Sequence, residues 1–292
     1  MEDLISYLFK TKSINACSAD KPFWYTSGKI GAYFISVENL YGSEEDAKTL
    51  LGHIDEELSD HQTLPKKAFD EMLAQYNSNE IYKYTIDELV KCIKANINVD
   101  EIDYISGGER RDWPFSILAA HFLQKPHLTM FKDLSVKESN YDFTETRTLE
   151  SLEGKKVLHI SDLINTAASY TRAWVPIAKN LGGNMAWTVT IIDRVQGGAE
   201  ILAEQGVTTY SLGKVDRSLF KNALEKGIIT DAQYDIINKY LDNPDETMKK
   251  FLIEHPEFVK DSLENGTGKT LTRARKCVED DVYGLGDLLK FE

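Results

Sequence analysis

Positive charge is in short supply: 34 Lys and Arg stand against 47 Asp and Glu in 292 residues, a formal net charge of −13 at pH 7. That balance opposes loose electrostatic binding to nucleic acid or to an anionic membrane, so a phosphorylated ligand would need locally placed donors. Long apolar runs are missing. No stretch approaches the ~20 residues of a membrane-spanning helix, Ile117–Leu123 being interrupted by His121. The N-terminus lacks the basic start and apolar stretch of a secretory signal, and the chain reads as cytoplasmic. Cysteine is scarce, and Cys17, Cys92 and Cys277 lie too far apart for a disulfide framework or a zinc spacing, so they read as reduced thiols. The six histidines show no i,i+4 pair, and no Ser-His-Asp set can be argued from their positions. With only 7 prolines, 42% apolar and 28% charged residues, disorder is excluded and one or two folded domains are expected.

What is present is an alternation. From about residue 85 to 212, β-rich runs at Ile102–Ser106, His127–Phe131, Lys156–Ser161, Ala186–Asp193 and Thr208–Leu212 flank helix-like stretches at Phe115–Leu123, Tyr170–Asn180 and Ala199–Gln205. This is the pattern of an α/β fold, a parallel sheet flanked by helices. Before it, Met1–Lys10 reads as helix, Phe23–Tyr25 and Ala32–Ser36 as two strands around Ser27-Gly28-Lys29, and Ser43–Leu58 as a helix with an N-cap serine. Residues 59–80 read as an insertion. After Gly213 strand signals stop, and Ser218–Lys226, Asp231–Leu241 and Glu246–Leu263 carry apolar residues at helical spacing. The chain therefore divides into 1–212 and a helical C-terminal extension, 213–292. Within that extension, Gly266-Thr267-Gly268-Lys269-Thr270 is rejected as a phosphate loop, because a strand and an earlier glycine are missing. Its basic run Lys269, Arg273, Arg275 and Lys276 reads as a solvated helix face.

The most informative stretch is Lys155–Ser169, in which a hydrophobic strand runs into Asp162, then a turn of small and hydroxyl residues, then a helix. Such a junction gathers unpaired N–H groups at a helix N-terminus, where the helix dipole also favours an anion. Simple helix capping by Asp162 and Ser169 is the alternative. His159, within the strand, reads as a satisfied core residue.

This segment resembles the binding motif for 5-phosphoribosyl 1-diphosphate (PRPP) of the type I phosphoribosyltransferases, and the resemblance to orotate phosphoribosyltransferase covers residues 1–212. Ser27-Gly28 and Tyr33-Phe34 are similar to that family's N-terminal hairpin, Gly107-Gly108 precede a helix as its pyrophosphate loop does, and Ile192–Gly198 resembles its D-R-x-x-G-G. The resemblance implies a type I fold with an N-terminal hairpin or hood. It implies that Asn165, Thr166, Ala167, Ala168 and Ser169 hold the 5′-phosphate, and that Gly107, Gly108, Arg110 and Arg111 face the pyrophosphate. Asp162, Lys132 and Lys137 would serve catalysis, and Thr26, Ser27 and Arg194 would meet the base. Mg²⁺ would arrive with PRPP rather than on protein ligands, and the protein would be a homodimer.

Four positions depart from the family pattern. Ser161 replaces the first acid of the strand-end pair, and Thr26 replaces a base-contacting lysine. Phe131–Glu138 keeps one lysine of the family's mobile loop, and the turn Ser106–Trp113 is unusually charged. Arg110 and Arg111 supply forked donors suited to phosphate, or else form ion pairs with Glu109 or Asp112. Three functions follow: a phosphoribosyltransferase, a regulatory protein of the same fold that binds PRPP or a nucleotide without turnover, or a structural protein presenting its helices to partners.

Overall fold

The computed structural model describes residues 3–18 and 20–291, so Met1 and Glu2 of the expected first helix lie outside the described residues. Two compact units emerge, one of residues 3–13 and 37–215, the other of residues 14–36 and 216–291. Compactness thus groups the N-terminal hairpin segment with the C-terminal helices, across the boundary read at residue 212.

In that second unit, β1 (Ile14–Ala16) pairs antiparallel with β4 (Tyr33–Ile35), and β2 (Phe23–Trp24) with β3 (Ile30–Gly31). Strands so short are not stable alone. Aromatic packing secures them: Trp24 stacks on Phe258 at 5.3 Å and donates from Nε1 to Ser262 Oγ at 3.0 Å, while Tyr33 meets Phe220 and Tyr240 at 5.2 and 5.6 Å. The helices are locally specified as well. Asp216 caps Arg217–Glu225, and Thr230 with Gln233 forms a capping box on Asp231–Asp242. The expected helix Glu246–Leu263 is two, Pro244–Glu254 and Glu257–Glu264, because Pro256 lacks an N–H and its ring clashes with the preceding turn. Arg273 is not simply solvated, since its guanidinium donates to Trp24 O at 2.8 Å.

The first unit holds a seven-stranded sheet of β5 (Tyr104–Gly108), β6 (His127–Met130), β7 (Val136–Ser139), β8 (Thr146–Thr148), β9 (Lys156–Ile164), β10 (Asn184–Asp193) and β11 (Thr208–Lys214), ordered β11-β10-β9-β5-β6-β7-β8. The first five in that order run parallel, and β7 and β8 add an antiparallel edge. β6, β9 and most of β10 are buried on both faces, which explains their continuous apolar runs, whereas β11 at the edge is only partly buried. Phe131–Glu138 leads into the hairpin of β7 and β8, with Val136 buried and Lys137 paired in register with Thr148. Residues 59–80 contain the helix Leu64–Ser78, whose Phe69 stacks on buried Phe143 at 4.8 Å.

Strand order reverses between β5 and β9. Right-handed crossovers then send the helix after β5 (Trp113–Leu123) and the helical turns after β9 to opposite faces, opening a crevice at the C-terminal ends of these two strands.

Candidate functional site

A cleft of about 430 Å³ lies at that switch point, lined by the turn after β5, by Lys132 and by the end of β9 with its following loop. β9 runs three residues beyond Ser161, because Leu163 and Ile164 pair with Ile192 and Asp193 of β10. Asp162 therefore sits within the strand, rather than in a flexible turn. The loop then bends at Ala167, whose φ of +52° is in the left-handed region, and continues into a π-helical stretch, Tyr170–Trp174, followed by α-helix Val175–Asn180.

The loop leaves donors available. Thr166 N donates to Asn165 Oδ1 at 2.7 Å, but among the described residues no acceptor pairs with the N–H groups of Ala167, Ala168 or Ser169, nor does Ser169 Oγ cap the helix. These groups point an unsatisfied helix start at the cleft, the arrangement that favours a phosphate.

The turn after β5 is arranged otherwise. Gly107 and Gly108 belong to β5 and are buried, and they are glycines because a side chain has no room: a Cβ would stand 2.1 Å from Ser116 Oγ at Gly107 and 2.3 Å from Trp174 Cε2 at Gly108. Gly108 N donates to Asp112 Oδ2 at 3.0 Å and Glu109 N to Met130 O at 2.9 Å, so neither strand-end N–H is open to a ligand. The arginines pair with acids other than the neighbours expected. Arg110 reaches Asp55 at 2.7 Å and donates to Leu51 O at 2.5 Å, while Arg111 Nε lies 3.3 Å from Glu38 Oε1. Lys132 Nζ is 3.3 Å from Glu109 Oε1.

Beneath the cleft lies a polar network that the sequence reading missed. Asp112 Oδ1 accepts from Asp162 N at 3.0 Å, so one buried carboxylate ties β9 to the turn of β5. Asp162 is itself buried, and its Oδ1 accepts from Leu163 N at 2.6 Å. Burial, then the negative fields of Asp112 and Glu38, push the Asp162 carboxyl well above the usual carboxylate range. Ser161 lines the cleft and its Oγ is anchored, since Tyr170 Oη donates to it at 2.7 Å and also bonds Thr188 Oγ1 at 2.7 Å. His159 is only half satisfied: Nδ1 bonds Ser106 Oγ at 2.9 Å, whereas Nε2 has no hydrogen-bond partner among the described residues and faces Asp112 Oδ2 at 3.5 Å. The signal that could have found Asp112 was its place at the N-cap of Trp113–Leu123, directly opposite the β9 terminus once the strands are paired.

The cleft thus brings together Asp162, Asn165, Ala167, Ala168, Ser169, Arg110, Arg111 and Lys132. Thr166 is in the same loop but outside the lining, and Gly107 and Gly108 lie behind it. Lys137 is elsewhere on the sheet, donating to Thr148 Oγ1 at 2.9 Å and Gln62 Oε1 at 3.2 Å. Arg194 follows β10 and does not line the cleft; its N–H donates to Ile164 O at 2.9 Å, and its Nε is buried without a partner among the described residues. Thr26 and Ser27 are exposed in the β2–β3 turn of the other unit. Among the described residues no group of three or more His, Cys, Asp or Glu is placed to hold a metal ion.

No protein-family model matches the chain. An orotate phosphoribosyltransferase of Sulfurisphaera tokodaii is 28% identical over 165 residues, 56% of this chain and 79% of that protein. Among solved structures, orotate phosphoribosyltransferase from Aeropyrum pernix superposes with a TM-score of 0.50 at 16% identity, covering 75% of this chain and 98% of the other. UMP synthase of Leishmania donovani gives a TM-score of 0.55 at 14% identity over 82% of this chain, but the match spans only 41% of that longer protein. In sequence and in fold, the chain is similar to orotate phosphoribosyltransferases.

Proposed function

We propose that the cleft binds a phosphorylated ribose and that the chain is a phosphoribosyltransferase, moving ribose 5-phosphate from PRPP to a nucleobase nitrogen. The observation that carries this reading is the loop after β9. Its open N–H groups at Ala167–Ser169 stand one turn beyond Asp162, so a 5′-phosphate on the loop would lay the ribose along the strand end. In the reaction a bond forms between the base nitrogen and C1′, the bond from C1′ to the diphosphate oxygen breaks, and the nitrogen's proton leaves. The protein's part is to hold the phosphate, orient the ribose hydroxyls against Asp162 and exclude water.

Mg²⁺ fits this cleft through the ligand rather than through the chain. Both Asp112 oxygens accept backbone N–H groups, and the Asp162 carboxyl is held towards its neutral form, so no pair of free carboxylates faces the ribose. When bound with PRPP, the ion would neutralise the leaving diphosphate. A cytoplasmic homodimer completes the proposal.

A second reading, a regulatory protein that binds PRPP or a nucleotide without turnover, is favoured by one observation: Lys137 lies outside the cleft and the cleft's cations are engaged by acids. Pyrophosphate release from PRPP and Mg²⁺, tested across orotate, uracil and purine bases, separates the two. Base-dependent release that disappears in Asp162→Ala supports the enzyme; saturable binding without release supports the regulator.

A further inference from the structure

The segment between helix Glu44–Glu57 and helix Leu64–Ser78 does more than join them. Asp60 folds it locally: its Oδ1 accepts from Gln62 N and from Thr63 N at 3.1 Å each, and its Oδ2 accepts from Thr63 Oγ1 at 2.6 Å. The turn so formed presents His61 and Gln62 to the antiparallel edge of the sheet, within the same compact unit. Resting on the phosphoribosyl reading above, we propose that His61 is a positioning residue of the cleft: it fixes the turn Phe131–Ser135 between β6 and β7, and so holds Lys132 on the cleft wall where a ligand's diphosphate would meet it.

His61 grips that turn at both ends. Its ring stacks on Phe131 with centroids 3.7 Å apart and 12° between planes, while Phe131 is fully buried and meets Trp113 edge-on at 5.3 Å. At the far end, Ser135 Oγ donates to Asp133 Oδ1 at 2.6 Å and bonds His61 Nδ1 at 3.1 Å. Hydrogen bonds from the Ser135 hydroxyl and N–H hold the Asp133 carboxyl below the usual carboxylate range, so it is an acceptor only. A hydroxyl has one proton to give, and His61 Nδ1–H is therefore the donor to Ser135. Gln62 adds a neighbouring hold, its Nε2 donating to Thr146 O at 2.5 Å and its Oε1 accepting from Lys137 Nζ at 3.2 Å.

Lys132 lies between these fixed points. Glu109 Oε2 accepts its N–H at 3.0 Å, which ties the near end of the turn to β5, and the ammonium stands 3.3 Å from Glu109 Oε1 on a side chain 68% exposed. Within the turn Leu134 N donates to Phe131 O at 3.0 Å, and Leu134 has a φ of +71°, a left-handed conformation that leucine seldom adopts. A turn strained in this way keeps one conformation only when its surroundings impose it, and His61 does so at Phe131 and Ser135. The main chain of Lys132 is thus set before a ligand arrives, and less freedom is lost on binding.

Calorimetric titration of the whole chain with PRPP and Mg²⁺, and separately with ribose 5-phosphate, tests this. Lys132→Ala should weaken PRPP about tenfold, the scale of one hydrogen bond to a charged group. His61→Ala should weaken it about fivefold, the scale of ordering one free side chain and its turn, with ribose 5-phosphate unchanged. Because His61 acts through Lys132, the double variant should bind PRPP within about twofold of Lys132→Ala alone. Ser135→Ala removes the hydroxyl that His61 grips, and carries the same test if His61→Ala does not fold; it should weaken PRPP about threefold, again with no further loss on top of Lys132→Ala. PRPP affinity unmoved in the folded single variants, a double variant about fiftyfold weaker than wild type, or an equal loss of ribose 5-phosphate overturns the role of His61 and leaves the phosphoribosyl reading intact. Binding of neither ligand by wild type overturns that reading itself, and the role of His61 with it.

Discussion

The loop after β9 and the turn after β5 are the same kind of structure, a strand of the parallel sheet passing into a helix beside the same cleft. They differ in the side chains they bring to it. The β9 loop has neither arginine nor lysine between Asn165 and Ser169, yet it presents open N–H groups because a left-handed residue and a helix start leave them without acceptors. The β5 turn carries two arginines, and each already has a carboxylate. In a chain with 47 acids and 34 bases, a cation finds an internal partner readily, so an arginine in the sequence is a weaker sign of an anion site than a backbone that cannot satisfy itself.

The proposed function assigns phosphate binding to the loop, whereas the glycines of the turn are fixed by tight packing, and substitutions should separate the two. The largest effect is expected from Gly108→Ala, whose new Cβ would stand 2.3 Å from Trp174 Cε2. Overpacking of this kind should lower stability by about 1–3 kcal/mol, read from the urea midpoint; an unmoved midpoint would show that the turn yields. Ser169→Ala should do the reverse, weakening ribose 5-phosphate about tenfold in calorimetry through loss of a hydrogen bond to a charged group, with the midpoint unchanged. Equal damage to stability would erase the distinction.

A pH series sharpens it further. The Asp162 carboxyl is raised by burial and by Asp112 and Glu38, so the folded state keeps a proton that the unfolded chain releases above about pH 4. Wild-type stability gains nothing from this group below the unfolded value and loses ground as pH rises towards the folded one. Asp162→Asn cannot ionise, and its stability relative to wild type should grow as pH rises, measured by urea unfolding at acidic and mildly alkaline pH. A difference that shrinks with pH would contradict the direction of the shift. The smallest effect belongs to Lys137→Ala, since that ammonium bonds Thr148 and Gln62 outside the cleft. Ligand affinity should not move, and stability should change by no more than about 0.5 kcal/mol.

Much of the sheet was legible because parallel strands buried on both faces must be continuous and apolar, and His127–Met130 and Asn184–Asp193 announce themselves in that way. The β9 loop was legible because a hydrophobic strand, an acid and a run of small residues can be read in order along the chain. What could not be read was the partner of each charge. Arg110 is 55 positions from Asp55, and Arg111 is 73 from Glu38, and no local rule links residues so far apart. The hairpin Val136–Thr148 was missed because its strands are short and half exposed, with a weak alternation. The break at Pro256 was visible in the sequence and read past.

By itself the sequence marked most of the parallel strands and many of the helices, and the loop after β9, because periodicity, capping and backbone geometry are local properties. The tertiary structure alone decided which cations remain available to a ligand and how the Asp162 carboxyl titrates. Those depend on burial and on charges brought close by the fold, and Coulomb interactions act through space rather than along the chain.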